Sequence, residues 1–334
     1  MESTVPEPRE FQICDRRIDR AVGHCDRARP GNFARSHRIE NLGTDKLTCR
    51  AFPVSTPTCV VFAVSPLIML RDVTVRREQT IILNQVSTTI PRARHTAILG
   101  PNGSGKSSLL KLLTRDFYPS IDSEGHQGDV QILGQRSWQV HELRRSMGIV
   151  SPALDAEFSR GRTGRMTVAE AVASGFTATR LKEFGPAITS EVREAVDHAI
   201  ETVGMQSFRD KPVERLSTGE RRRTMIARAI VHRPAIFVLD EPTGGLDMTA
   251  KAKFLEIIDS MTGQQEITLV LVTHHLDEVP PAMRHAVLLD QGTIAFDGLK
   301  QDAFTDERIS SLFRLPVAIE CDSRGWYDVR MRRD

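Results

Sequence analysis

"TAILGPNGSGKSSLLKLLTRDF", residues 96 to 117, decides how the rest of the chain is read. It opens as a short apolar run, meets glycine, and resumes with leucines on helical spacing. Strand, glycine-rich loop and helix, in that order, are what a phosphate-binding loop requires. The pattern G-x-x-x-x-G-K-S falls on Gly100, Gly105, Lys106 and Ser107, and Asn102, Gly103, Ser104 and Ser108 complete the stretch. Glycines let successive backbone N–H groups curl around phosphate oxygens, and the helix start adds a favourable dipole. Lys106 is then expected to meet the β- and γ-phosphates of a nucleotide, and the Ser107 hydroxyl to ligate magnesium. The pattern alone admits kinases, GTPases and ATPases.

Outward from the loop, "IFVLDEP" and "ITLVLVTH" are continuous apolar runs, as expected of parallel strands buried on both faces. The first ends in Asp240 and Glu241, at the strand end where ligands of open α/β sheets sit. A strand ending in solvated acids is common, but a phosphate loop needs such a partner. Asp240 suits magnesium binding, and Glu241 suits orienting and deprotonating an attacking water. Upstream, "MLRDVTVRREQTIILNQVSTTI" alternates apolar and polar from Met69 and predicts antiparallel strands. Between about residues 151 and 214 the signals are mainly helical. Thr167 with Glu170 makes a capping box, and Val192, Ala195, Val196, Ala199, Ile200 and Val203 repeat at three and four before Gly204. The fold class expected is therefore α/β: a mainly parallel sheet around the loop, an N-terminal antiparallel β subdomain, and a helical insert subdomain.

Bulk properties narrow the setting. A chain of 334 residues, 40% hydrophobic and 26% charged, is ordinary for a globular protein. A net charge of +2 with both signs interspersed predicts no specific nucleic-acid partner. Of five cysteines, Cys14, Cys25, Cys49 and Cys59 lie early and Cys321 late, which excludes a disulfide framework for the main body and suits a reducing cytoplasm. Residues 1–66 are arginine-rich, lack apolar periodicity and are expected to be a disordered extension, leaving 67–334 as the folded domain. A start at Met69 would suit the fold, which would make the first 68 residues dispensable or the product of an upstream start. Two sharper alternatives there are weak. A zinc site from Cys14, His24, Cys25 and Cys49 lacks any C-x-x-C pair, and the uncharged stretch Ala51 to Leu70 is interrupted by Pro53, Pro57 and Pro66.

A second anion-seeking helix start lies in "RLSTGERRRTMIARAI", residues 215 to 230, where Ser217 and Glu220 form another S-x-x-E capping box. With the phosphate loop, "LSTGE", "LDEP", "GGLD" and "VTHH" in this order, the chain from about residue 69 onward resembles the ATP-binding cassette family. That resemblance implies a P-loop NTPase core that binds ATP and Mg2+ and hydrolyses ATP as the subunit driving a separate integral-membrane permease. It places the protein in the cytoplasm, peripheral at the inner face of the plasma membrane. It also implies a second ATPase subunit, in a homodimer that sandwiches nucleotide. Ser217, Thr218, Gly219 and Glu220 match the signature that contacts ATP seated on the partner copy. Thr218 and Glu220 stand where glycine and glutamine are commoner. Asp247 matches the loop that crosses between sites, and His274 the switch histidine at the γ-phosphate. A metal pair of His274 with His275 is not expected, because neighbouring strand-end residues tend to point apart.

Two positions depart from the family. Where a glutamine usually follows the strand "MGIV", Ser151 and Pro152 stand. Where an aromatic residue commonly stacks on adenine, Arg76 and Arg77 stand, and Arg77 is the expected base-stacking residue. "IVSPALDAEF", "VTHHLDEVPP" and "SLFRLPV" are most similar to cassettes labelled as molybdate or iron-complex importer ATPases, or photorepair-like proteins. Two other functions remain open: a soluble cassette ATPase acting on nucleic acid or ribosomes, and a regulatory module with weak hydrolysis. No N/T-K-x-D guanine motif follows the loop, against a GTPase.

Overall fold

The computed structural model describes residues 66–177, 189–263 and 267–332. The expectations placed on residues 1–65, including the zinc alternative, lie outside the described residues.

The chain enters as an antiparallel hairpin, β1 (Pro66–Arg77) and β2 (Thr80–Pro91). One extra residue in β1 between Leu70 and Val73 makes a bulge, with Asp72 at φ 49°. β3 (Thr96–Leu99) then leads into the phosphate loop and α1 (Lys106–Leu113). β4 (Asp129–Ile132) returns to pair with β1, completing an antiparallel sheet of order β2-β1-β4. After α2 (Val140–Ser146) and β5 (Met147–Val150) come short helices, α3 (Pro152–Phe158), α4 (Gly161–Gly164) and α5 (Val168–Ala173). Thr167 caps α5 in the expected box with Glu170. α6 (Ser190–Thr202) stops before Gly204, whose φ of 64° a side chain would resist.

α7 (Thr218–Ile230), β6 (Ile236–Asp240), α8 (Met248–Thr262) and β7 (Thr268–Thr273) alternate as βα units should. β8 (His285–Asp290) and β9 (Thr293–Leu299) are joined by Gln291 and Gly292, both at positive φ as a tight hairpin turn requires. α9 (Lys300–Ala303), α10 (Asp306–Phe313) and a terminal hairpin of β10 (Val317–Cys321) and β11 (Tyr327–Met331) follow.

The main sheet runs β5-β6-β7-β3-β8-β9, parallel except for β9. Its strands alternate between two cores with period two. Ala97, Leu99, Phe237, Leu239, Leu269 and Leu271 join the core shared with α5 to α8. Ile98, Ile236, Val238, Val270 and Val272 join the core shared with α1 and the antiparallel sheet. Both faces are covered, which is why β6 and β7 read as unbroken apolar runs. Phe237 is fully buried, and truncating it to alanine would cost roughly 3–5 kcal/mol. Among the described residues no helix is long and apolar enough to cross a membrane.

Candidate functional site

Close packing of backbone shapes the loop after β3. A Cβ on Gly100 would stand 2.2 Å from the Leu289 carbonyl oxygen and 2.5 Å from Ser104 Oγ. Gly105, at φ 105°, lies under β2, where a Cβ would meet Leu83 Cδ2 at 2.9 Å. The loop is thus wedged between β8 and the hairpin. α1 starts from Gly105 with no side-chain cap, so its first N–H groups stay available to an anion. Ser104 Oγ is buried without a hydrogen-bond partner. Asn102, Gly103 and Ser107 are exposed, and Ser108 is half-buried.

Lys106 is folded back on the loop. Its Nζ donates to the carbonyls of Gly100 (2.9 Å) and Pro101 (3.1 Å) and lies 3.7 Å from Glu241 Oε1. Burial lowers the ammonium pKa, while the charges of Glu241 and Asp240 oppose that shift. Burial, then the charge of Glu241, pushes the Asp240 carboxyl up to about 6, with Lys106 pulling the other way. Two acids and a lysine packed so closely set up a demand for further positive charge.

Glu241 follows β6 in the left-handed region, at φ 43°, with its N–H held by the Val272 carbonyl at 2.8 Å. A non-glycine residue there costs on the order of 1 kcal/mol, and it turns the side chain away from the strand direction. Glu241 Oε1 consequently sits between Lys106 and His274, whose Nδ1 is 3.3 Å away. His275 overturns one expectation. The two histidine rings do not point apart but pack with centroids 3.9 Å apart and 40° between planes. β7 ends at Thr273, so strand alternation no longer governs them, and Thr273 Oγ1 accepts the His275 N–H at 3.0 Å. Among the described residues no group of three or more His, Cys, Asp or Glu side chains could hold a metal ion. Ser107 and Asp240, a hydroxyl and a carboxylate, line one cavity of about 350 Å³. Hard oxygen donors of this kind, few in number, fit magnesium that takes its remaining ligands from phosphate and water.

The signature helix start is formed elsewhere. Ser217 Oγ accepts the Glu220 N–H at 3.3 Å, and Glu220 Oε2 accepts the Ser217 N–H at 2.8 Å. Burial works against the Glu220 charge, yet the Ser217 donors hold its carboxyl below the ordinary range. Thr218 and Gly219 are half-buried in the first turn. Asp247 caps α8 through the Ala250 N–H at 2.8 Å, and a Cβ on Gly219 would stand 2.9 Å from Ala250 Cβ. Ser217, Gly219, Glu220 and Asp247 therefore line one cavity, of about 210 Å³, and no residue of the phosphate loop lines it. Arg77 stands exposed at the end of β1, and among the described residues no hydrogen bond or ion pair ties it to the loop.

Two residues of the region carry no motif that would single them out. Glu278 is buried, accepts from Thr243 and Thr273 (2.5 Å to the latter), and lies 3.9 Å from Lys251 Nζ. It therefore ties the loop after Glu241, the strand before His274 and the helix after Asp247 together. Asp155 is also buried, and Arg221 Nε donates to it at 2.8 Å. At Ser151, where the family's glutamine is absent, the side chain caps α3 by accepting the Leu154 N–H at 3.4 Å, with Pro152 in the first turn.

Comparison with known proteins fits this geometry. Residues 83–244 match the ABC transporter family. An uncharacterised ABC transporter ATP-binding protein of Bacillus subtilis is 30% identical over 259 residues, 76% of this chain and 93% of that protein. An iron(3+)-hydroxamate import ATP-binding protein of the same species is 27% identical, over 73% of this chain and 86% of its own length. The structure of cbiO1 from Clostridium perfringens, part of the ABC transporter complex cbiONQ, superposes with a TM-score of 0.61 at 25% identity, covering 74% of this chain and 93% of that one.

Proposed function

The chain belongs to the ABC transporter family as an ATP-binding subunit, and from that premise we propose that it hydrolyses Mg-ATP at sites shared between two copies, driving a separate membrane permease. One observation carries this reading. Among the described residues two helix starts suit phosphate, and they open on different cavities. A single chain does not bring both to one nucleotide, whereas two copies facing each other do.

In this mechanism the loop N–H groups from Gly100 to Gly105 and the Lys106 ammonium bind the β- and γ-phosphates. Ser107 and Asp240 would hold magnesium, which neutralises phosphate charge when bound. Lys106 exchanges its carbonyl partners for phosphate oxygens. Glu241 orients a water against the γ-phosphorus and takes its proton as the new P–O bond forms and the bond to the bridging oxygen breaks. His274, already beside Glu241, donates to a γ-phosphate oxygen. Ser217 and the first N–H groups of α7 meet that phosphate from the other copy, with Asp247 alongside. Arg77 stacks on the base. Residues 67–334 form the ATP-binding domain, with residues of about 151–214 as its helical subdomain. The protein works in the cytoplasm, at the inner face of the plasma membrane where its permease lies.

Subunit mixing tests the reading. Lys106→Ala and Ser217→Arg each abolish turnover alone. Mixed, they form heterodimers in which one composite site keeps both Lys106 and Ser217, and part of the turnover returns. No recovery on mixing, together with full turnover by a strictly monomeric chain, overturns the proposal.

A further inference from the structure

α3 occupies the place where the family's glutamine would lie, and its side chains reach in two directions. On one side, Ser151, Leu154 and Glu157 line the cavity that also contains Ser107 and Asp240. On the other, Asp155 meets the first turn of α7. Arg221 Nε donates to Asp155 Oδ1 at 2.8 Å, and Arg222 Nη2 lies 3.6 Å from Oδ2. The same Arg221 guanidinium donates through Nη1 to the Leu216 carbonyl at 3.2 Å, one residue before Ser217. An unbroken run of contacts thus joins the capped start of α3 to the backbone that presents Ser217.

The groups involved are desolvated. The side chains of Asp155, Arg221 and Arg222 are 9%, 18% and 3% exposed. Among the described residues Arg222 Nε and Nη1 are buried without hydrogen-bond partners, and Asp155 is the carboxylate within reach of both guanidinium groups. A buried ion pair is weak evidence of stability, and its best-attested use is to fix a geometry. A second contact fixes the opposite end of α3: the Arg228 guanidinium lies over the Phe158 ring, 4.7 Å from its centroid. Arg221 and Arg228 are two turns apart on α7, so α3 and α7 are fastened at two points.

We propose that Asp155 is a positioning residue that links the magnesium side of a chain's own nucleotide site to the signature helix it offers to the partner copy. This rests on the shared-site reading and adds to it. Without a glutamine to reach the metal, the cleft wall at Ser151 and Leu154 is the part of α3 that responds to what fills the cavity, and Asp155 passes that response to Leu216 and Ser217. Asp155 touches no substrate, and its effect falls on assembly of the second half of the site.

The test uses the full-length chain in a Glu241→Gln background, with Mg-ATP as the probe. Asp155→Asn keeps shape and removes charge. It is expected to raise the protein concentration for half-dimerisation about tenfold, as loss of a registering ion pair should. ATP affinity of the isolated subunit by calorimetry should change less than about twofold, because the phosphate loop is untouched. With Glu241 intact, kcat should fall about tenfold at nearly constant KM. Asp155→Glu should restore most of the loss, and the charge exchange Asp155→Arg with Arg221→Asp should recover dimerisation that either single change removes. If the parent dimerises and Asp155→Asn dimerises equally well, this inference is overturned while the shared site stands. Equal losses in subunit ATP affinity and dimerisation, with no recovery by Asp155→Glu or the exchange, reduce Asp155 to a fold residue and also overturn it. If the parent itself does not dimerise, the shared-site reading falls and this one with it.

Discussion

Glu241 and His274 stand 33 residues apart in sequence, yet Glu241 Oε1 and His274 Nδ1 lie 3.3 Å apart at the ends of two neighbouring parallel strands. The contact exists because β6 and β7 run parallel with Asp240 opposite Val272, and Glu241 turns left-handed where β6 stops. A carboxylate so placed can accept a proton while the imidazole keeps it pointed at its task. Glu241→Gln preserves shape and backbone demand but cannot act as a base. Phosphate release from Mg-ATP should fall by roughly two to four orders of magnitude, while ATP-dependent dimers accumulate in sedimentation. His274→Ala should lower kcat without an equal loss of ATP affinity.

Lys106 offers a separate readout because the proposed mechanism uses it in binding before any chemistry. Its ammonium already sits on two loop carbonyls, ready to exchange them for phosphate. Removing a charge-assisted contact of this kind costs about 1.5–3 kcal/mol, so Lys106→Ala should weaken ATP binding by roughly ten- to a hundredfold by calorimetry. Thermal unfolding without nucleotide should change little. An unchanged affinity would remove Lys106 from the site.

Gly219 is constrained by neighbours and not by its dihedral angles. Gly219→Ala places a methyl 2.9 Å from Ala250 Cβ, and overpacking of this sort costs typically about 1–3 kcal/mol. The clash pushes α7 and α8 apart at the cavity shared with Asp247. Turnover should therefore fall by more than the melting temperature suggests, with nucleotide affinity of the monomer unaltered. Ser217→Ala removes an N-cap worth about 1 kcal/mol and should show the same division between assembly and binding.

His232 predicts an acid limit to stability. Burial lowers its pKa to about 4 from an ordinary 6.5, and the charge of Arg228 adds to the effect. The folded chain keeps the ring neutral where the unfolded chain would protonate it, so this contribution is complete above about pH 6.5 and is lost as the pH falls towards 4. Urea midpoints should drop between pH 7 and pH 5. In His232→Leu that part of the slope should disappear, and an identical slope in the variant would rule the ring out.

Much of the core was legible because its chemistry constrains backbone as well as side chain. The glycines around Lys106, the acids ending β6 and the two capping boxes each demand a particular local conformation, and the structure adopts those conformations. Asp155 was hidden because its meaning lies in a contact with a residue 66 positions away. Nothing in "SPALDAEF" distinguishes its carboxylate from a solvated one. Glu278 was hidden for the same reason, since only packing brings Thr243 and Thr273 to it. The histidine pair misled because the alternation rule was carried two residues past the end of a strand. Ser151 is the intermediate case. Its difference from glutamine was plain in the sequence, but its use as a helix cap needed the fold.

The glycine at 148 has the furthest-reaching consequence. A Cβ there would stand 2.3 Å from the Ala229 carbonyl oxygen, and one on Gly175 would stand 2.2 Å from that of Arg228. The far end of α7 is therefore pinched between two bare stretches of backbone, which makes a fulcrum. From Ala229 back to Ser217 the lever arm is about 18 Å at the usual helical rise. Tilting it by about 10° would swing the serine through about 3 Å, roughly a hydrogen-bond length. A small pivot at the sheet edge thus has the leverage to engage or release the phosphate that the proposed shared site would place at the tip.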